Sequence, residues 1–386
     1  MARSIKDIVK IIVHMGAATL VVVSLSVRTE AEPMAIAPAT IATTLTRTEW
    51  AAYTHRFIRP DGRVIDVEKG GQSHSEGQGY GMLLAMRAND QPTFDRILAF
   101  TFGKMRARSD GLVSWLYNPH SSPPITDPNN ASDGDILIAY ALISAGLKWN
   151  EARYIAHALP MIDAIGSKLL ERRDGYVRLK PGAFGFDPGQ HPGGAVVNLS
   201  YYIYGAFLLF EAVDQRHPWR EAWQSGLMLT EASLTGSAGV TPDWIALEDG
   251  GAAPARGFKA RSSYDAVRVP LYMALGGRVP ARYFASFDRA WNLNGRGLPK
   301  DYDLEADRAL MDMNEPGYRA IAGIAACASR GVPVSAAAQR FQLRTYFSST
   351  LHLLALSALR SDYRHCTAPA VAAFSPHPLE VASAAR

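Results

Sequence analysis

Cysteine is scarce: two residues in 386 cannot make a disulfide framework, so a packed apolar core has to carry the fold. The chain also lacks the phosphate-cradling GxxxxGKS/T, the zinc-binding HExxH, the redox CxxC and the GxSxG nucleophile elbow. Nucleotide hydrolysis, zinc proteolysis, thiol redox chemistry and serine hydrolysis thus lose their usual signatures. Neither sign of charge prevails, with 40 basic and 36 acidic residues and a formal charge of +4. Four basic residues (Arg3, Lys6, Lys10, Arg28) and two acidic ones (Asp7, Glu30) fall within residues 1–31, and without them 36 basic stand against 34 acidic. The remaining basic residues are scattered, so no nucleic-acid groove is expected.

No membrane span is expected either. The N-terminal apolar run, residues 11–27, is 17 residues long, short of the roughly 20 a spanning helix needs. Behind the basic Arg3, Lys6 and Lys10 it reads as an export signal over residues 1–31, with an uncleaved anchor as the alternative. A periplasmic or secreted protein follows. In that oxidising setting Cys327 and Cys366 can pair, although Cys327, inside an apolar run, also reads as a buried small hydrophobe.

What the chain has in quantity is helical periodicity. A flexible leader is expected over 32–47, a catalytic domain over 48–365 and a tail over 366–386. Helices are predicted near 76–89 (with Ser75 as cap), 92–106, 131–147, 151–172, 198–214, 219–235, 265–276, 280–291, 314–330 and 346–360. Residues 136–147 are apolar on nearly every side, as in a helix buried all round. The next segment puts Ile155, Leu159, Ile162, Ile165 and Leu169 on one stripe, as in an outer layer. This alternation predicts an all-α double ring of inner and outer helices. Strand signals are confined to residues 62–67 and 175–178.

Polar, Gly-rich and aromatic clusters fill the connections, where function tends to reside. Glu76 opens an apolar helix in Gly70-Gly71-Gln72-Ser73-His74-Ser75-Glu76-Gly77-Gln78-Gly79-Tyr80-Gly81, among glycines that would let the backbone approach a ligand. It could equally be an acid favoured by a helix N-terminus. Asp133 and Asp135 open the greasy helix at Ser132-Asp133-Gly134-Asp135-Ile136; a cap explains only one of them. Calcium is disfavoured because apolar residues follow where more oxygens would be needed, and no metal or cofactor is expected. Asp265 and Arg268, three apart in Ser263-Tyr264-Asp265-Ala266-Val267-Arg268, form a helical ion pair or a general base kept ionised by its arginine. Trp115, Tyr201, Trp244 and Tyr264 accompany these acids, and aromatic faces can stack on sugar rings as well as in cores.

At this point the residues resemble a known family. Ala131-Ser132-Asp133-Gly134-Asp135, followed by Ile138-Ala139, Ala141-Leu142-Ile143, Ala145 and Trp149, is similar to the signature of glycoside hydrolase family 8. Residues 75–82 look like its general-acid segment, and residues 263–268 resemble its general-base segment in the branch associated with bacterial cellulose synthase. The similarity runs over about residues 48–360. It implies an (α/α)6 toroid and hydrolysis with inversion. By carry-over Glu76 is the general acid, Asp265 the general base and Asp133 the residue that holds and distorts the sugar. Asp135 contacts the sugar or supports the residues that do, and Tyr201 helps to place the water. Trp115, Tyr264, Arg268 and Trp244 complete the expected substrate site. Leu199 stands where that branch often has proline.

The function implied is an endo-β-1,4-glucanase acting on cellulose and cello-oligosaccharides, in association with the cellulose synthase complex. A chitosanase or xylanase of the same family, or a non-catalytic glucan-binding subunit, are the alternatives. An inverting pair needs carboxyls roughly 6.5–9.5 Å apart, which acids from separate loops can reach and Asp133 with Asp135 alone cannot.

Overall fold

The computed structural model describes residues 41–248, 251–292 and 295–367. The expected signal and the first part of the leader lie outside them. The helices are α1 (Arg47–Phe57), α2 (Ser75–Arg87), α3 (Gln91–Phe100), α4 (Ser132–Trp149), α5 (Ala152–Leu169), α6 (Tyr204–Val213), α7 (Trp219–Ala232), α8 (Arg268–Ala274), α9 (Ala285–Trp291), α10 (Pro316–Arg330) and α11 (Tyr346–Ser361). None in the described residues is long and apolar enough to cross a membrane.

Burial follows the apolar pattern. Residues 136–143 of α4 are buried without interruption, and α4 packs against α2, α5 and α6. Along α5 the buried face runs through Tyr154, Ala158, Met161, Ile162, Ile165 and Leu169, whereas Leu159 is 40% exposed. Of the expected stripe, Ile162, Ile165 and Leu169 are buried and Ile155 packs against the core; Leu159 falls outside it, and Tyr154 joins it with its hydroxyl donating to Asp95 at 2.7 Å. The packing of α2 on α4, α4 on α6, α6 on α8, α8 on α11 and α11 on α2 runs in a closed circuit.

Glycines make the α2–α4 contact possible. A Cβ on Gly79 would come within 2.5 Å of Leu137 Cβ, and one on Gly134 within 2.1 Å of Ser75 Oγ. Gly77 and Gly81 would similarly meet Tyr346 and Val64. These four glycines admit neighbouring protein, not a ligand as the sequence suggested. Ser75 is not a cap; it is the first helical residue, and its N–H donates to Trp115 O at 2.9 Å.

Ten short strands were mostly invisible in the sequence. They are β1 (Ser73–His74), β2 (Leu116–Tyr117), β3 (Leu170–Arg173), β4 (Tyr176–Leu179), β5 (Ala195–Val197), β6 (Ile245–Glu248), β7 (Gly251–Pro254), β8 (Arg261–Ser262), β9 (Lys300–Asp303) and β10 (Arg308–Asp312). Among the described residues two antiparallel pairs, β1–β2 and β3–β4, and two three-stranded sheets, β5–β6–β7 and β8–β9–β10, join the helices. Residues 62–67 form only isolated bridges, at Val64 and Asp66.

Residues flanking both ends of the expected 48–365 range pack onto the helices. Residues 41–47 are packed: Thr44 N donates to Arg87 O at 2.9 Å, its Oγ1 pairs with Ser357 Oγ at 2.8 Å, and Lys148 reaches Ile41 O at 2.7 Å. Thr46 and Glu49 form a reciprocal capping box that starts α1. At the other end Cys366 is bonded to Cys327 of α10 with Cα atoms 5.8 Å apart, and its carbonyl accepts from Val334 N at 2.8 Å. The body therefore extends past the 365 boundary. The pairing possibility is the one realised.

Candidate active site

Three acids from three elements meet on one guanidinium. Glu76 comes from the first turn of α2, Asp133 from the first turn of α4 and Asp265 from the turn before α8. Arg268 donates from Nη1 to Glu76 Oε1 and from Nη2 to Asp265 Oδ1, while Nη1 stands 3.4 Å from Asp133 Oδ2. Arg268 and Asp133 have 4% of their side chains exposed, against 23% for Glu76 and 26% for Asp265. The two outer acids thus face solvent and the middle pair lies beneath them. Sequence spacing read Arg268 as a partner of Asp265 alone; its bridging role arises only when α2 and α4 converge.

Glu76 is fixed from several sides. The β1–β2 pairing of His74 with Leu116 positions the entry to α2. Tyr80, one helical turn on, donates its hydroxyl to Glu76 Oε1 at 2.9 Å and also contacts the Tyr272 hydroxyl. Burial holds the Tyr80 phenol well above the usual tyrosine range, so it remains a donor.

The aspartates are shaped by desolvation, which disfavours the charged form. Burial pushes Asp133 up to about 7, against backbone hydrogen bonds that favour its anion. Burial likewise raises Asp265 to about 8, with the charges of Asp243 and Asp133 adding to the rise and the Asn198 and Trp244 side chains opposing it. This differs from the low value expected from Arg268 alone: the enclosure and two neighbouring carboxyls outweigh one arginine.

Asp135 takes the supporting position of its two expected roles. It has no exposed surface, and its two oxygens are committed to Val113 N and Asn130 Nδ2, each at 2.8 Å. Burial raises its carboxyl to about 7. It anchors the 113–115 loop, which carries Trp115 beside the acid. There Trp115 stacks near-parallel on His74 with centroids 6.1 Å apart, and its indole N–H donates to Asp127 at 2.8 Å.

Tyr201 lies under Arg268, whose guanidinium carbon is 6.0 Å from the ring centroid. Burial, with the charges of Asp133 and Asp265, raises its phenol well above the usual range. Tyr264 is 46% exposed and meets Tyr318 and Phe347 edge-on or tilted, a rim position open to a ligand. Trp244 departs from the expectation of a sugar platform. Phe258 covers it in parallel at 4.2 Å, and Phe186 lies parallel at 6.1 Å. Its indole hydrogen-bonds toward Asp265 instead.

Two residues went unnoticed in the sequence. Asn198 Oδ1 accepts from both Ser200 N (3.0 Å) and Ser200 Oγ (2.7 Å), which fixes the amide orientation. Its buried Nδ2, without a well-formed partner among the described residues, is left on the Asp265 side. Asp243 lies behind the Asp265 turn. Nothing in the spacing of either residue signals this.

The family model described as glycosyl hydrolases family 8 matches residues 27–360. A probable endoglucanase of Novacetimonas hansenii is 36% identical over 277 residues, covering 71% of this chain and 80% of its own length. The solved endo-β-1,4-glucanase of Acetobacter xylinum is 34% identical with a TM-score of 0.72, the match spanning 83% of this chain and 98% of that one. For the endoglucanase of Komagataeibacter sucrofermentans the corresponding values are 33%, 0.73, 82% and 98%.

Proposed function

The chain belongs to glycosyl hydrolase family 8, and on that premise we propose that it cuts β-1,4-glucan internally with inversion, using Glu76 as general acid and Asp265 as general base. It is a glycoside hydrolase of the endoglucanase kind, in keeping with its relatives. The observation that carries the residue assignment is the sharing of Arg268 by Glu76, Asp133 and Asp265.

Glu76 delivers its proton to the oxygen of the departing glucan. Asp265 draws a proton from water on the opposite face of the sugar ring, and the water oxygen bonds to the anomeric carbon as the glycosidic bond breaks. The two carboxyls are held by different nitrogens of one guanidinium, Nη1 for Glu76 and Nη2 for Asp265, and come from separate elements. The raised value of Asp265 makes it a strong base once ionised, close to the neutral range where general bases work best. Asp133, buried beneath them, holds the sugar in a distorted form. Tyr201 and the pinned amide of Asn198 help to place the water, while Trp115 and Tyr264 supply stacking faces.

We read the helices as an (α/α)6 toroid; the closed packing circuit and the likeness to solved endoglucanases support this. The apolar N-terminal segment is read as an export signal that sends the enzyme to the periplasm or medium. The resemblance of residues 263–268 to the cellulose-synthase-associated branch supports a task on glucan made by that complex.

Reducing-sugar release and viscosity loss should both appear with carboxymethylcellulose and remain far lower with chitosan or xylan. Equal or greater activity on chitosan or xylan would replace the glucanase reading with the corresponding alternative.

A further inference from the structure

Asp243 sits just before β6, half-buried behind the Asp265 turn. Its Oδ1 accepts the backbone N–H groups of Ser263 at 2.7 Å and Ala266 at 2.8 Å. Its own N–H donates to Arg261 O at 2.7 Å, tying it to β8. The residues so held, 263–266, form the turn that leads into α8 and has Asp265 within it. Ser263 and Ala266 precede Val267, the residue that opens α8, so the carboxylate fixes the turn ahead of the helix by accepting its N–H groups. The next residue, Trp244, directs its indole toward the Asp265 carboxyl. Neighbouring residues therefore grip the backbone and the side chain of Asp265 together.

An amide or hydroxyl oxygen would accept those N–H groups equally well. A carboxylate adds a charge. Asp265 is faced by Arg268 from α8, Asp133 from α4, Glu76 through Arg268, and the phenols of Tyr201 and Tyr272. Asp243 is faced by Asp265 and by Asp301 of β9, itself 3.9 Å from Arg261. Burial raises Asp243 to about 6, against its backbone hydrogen bonds, and its charge is in turn the first of those that raise Asp265.

We propose that Asp243 is a positioning residue for Asp265: it fixes the turn of the base through the Ser263 and Ala266 amides and sets its basic strength with a half-buried negative charge. This rests on Asp265 being the general base.

Asp243→Asn separates the two contributions, because its amide oxygen still accepts both N–H groups while the charge is gone. Its acid limb of kcat/KM should move to lower pH by about one unit, with KM unchanged. Asp243→Ala loses the grip as well, and kcat should fall roughly a hundredfold, the scale of a small misplacement of a reacting group. If that variant does not fold, Asp243→Asn carries the test alone. Carbon-13 titration of labelled aspartates in wild type and Asp243→Asn follows Asp265 without substrate. An Asp265 titration that moves down in a protein without glucanase activity would keep Asp243 as the residue that sets the Asp265 carboxyl and sink the functional reading that makes Asp265 a base. An acid limb and a titration that both stay at the wild-type position in Asp243→Asn would overturn the proposal.

Discussion

Arg268 Nη1 stands 3.4 Å from Asp133 Oδ2, with both side chains 4% exposed. This contact joins the first turns of α4 and α8 at the floor of the site, and Glu76 and Asp265 lie above it on the same guanidinium. The arginine is thus a scaffold for three acids.

Replacing Arg268 by methionine leaves those acids without their common cation. Loss of one partner from a buried ion pair costs roughly 3–5 kcal/mol, and denaturant unfolding at pH 8 should register a loss of that order. At pH 5 the deficit should shrink, because Asp133 and Asp265, raised to about 7 and 8, are protonated there. A deficit independent of pH would show that the acids do not depend on this charge. Lysine should restore little activity, since it offers one nitrogen where two are used.

Glu76→Gln keeps an acceptor for Tyr80 and Arg268 but has no proton to transfer. Hydrolysis should fall roughly 10²–10⁴-fold, with cello-oligosaccharide affinity, measured calorimetrically, within a few-fold of wild type. Near-normal hydrolysis would remove Glu76 as the acid and favour a binding subunit.

The raised aspartates also predict how stability changes with pH. Asp133, Asp135 and Asp265 hold protons in the folded protein up to about 7, 7 and 8, while the unfolded chain releases them near the usual 3.8. The folded state therefore binds more protons in that window, and stability falls as pH rises through it. Burial lowers His74 and His352, which act in the opposite direction, but only below their ordinary 6.5. Between pH 6.5 and 8 the aspartates act alone, so Tm should decrease. A Tm that rises over this interval would contradict the raised values of the three carboxyls.

The Cys327–Cys366 bond closes a separation of 39 residues between α10 and the segment after α11. A double serine variant should lose about 2–4 kcal/mol of stability. Its kcat well below the unfolding transition should be unchanged, because none of the three acids lies in the bridged segment. An equal loss of kcat would imply that the bridge shapes the site.

Much of the helical frame was legible because α4 is apolar on every side and α5 on one. Strands such as Arg261–Ser262 or Ala195–Val197 are too short to display alternation, so the small sheets were not. The acids stood out through their place at helix starts. The choice between the two roles open to Asp135 was not legible because its partners, Val113 and Asn130, are set by loop conformation; nor was the cover that Phe258, from a separate loop, places on Trp244. Asp243 left no trace, since it binds backbone N–H groups that any residue would supply.

The central claim, water delivered by Asp265 opposite a proton from Glu76, is tested most directly by proton NMR of a cello-oligosaccharide digest in its first minutes. The account predicts that the new reducing end appears first as the α-anomer and then relaxes toward the equilibrium mixture. A β-anomer formed first would mean retention, and would contradict the assignment of Asp265 as the base for an attacking water.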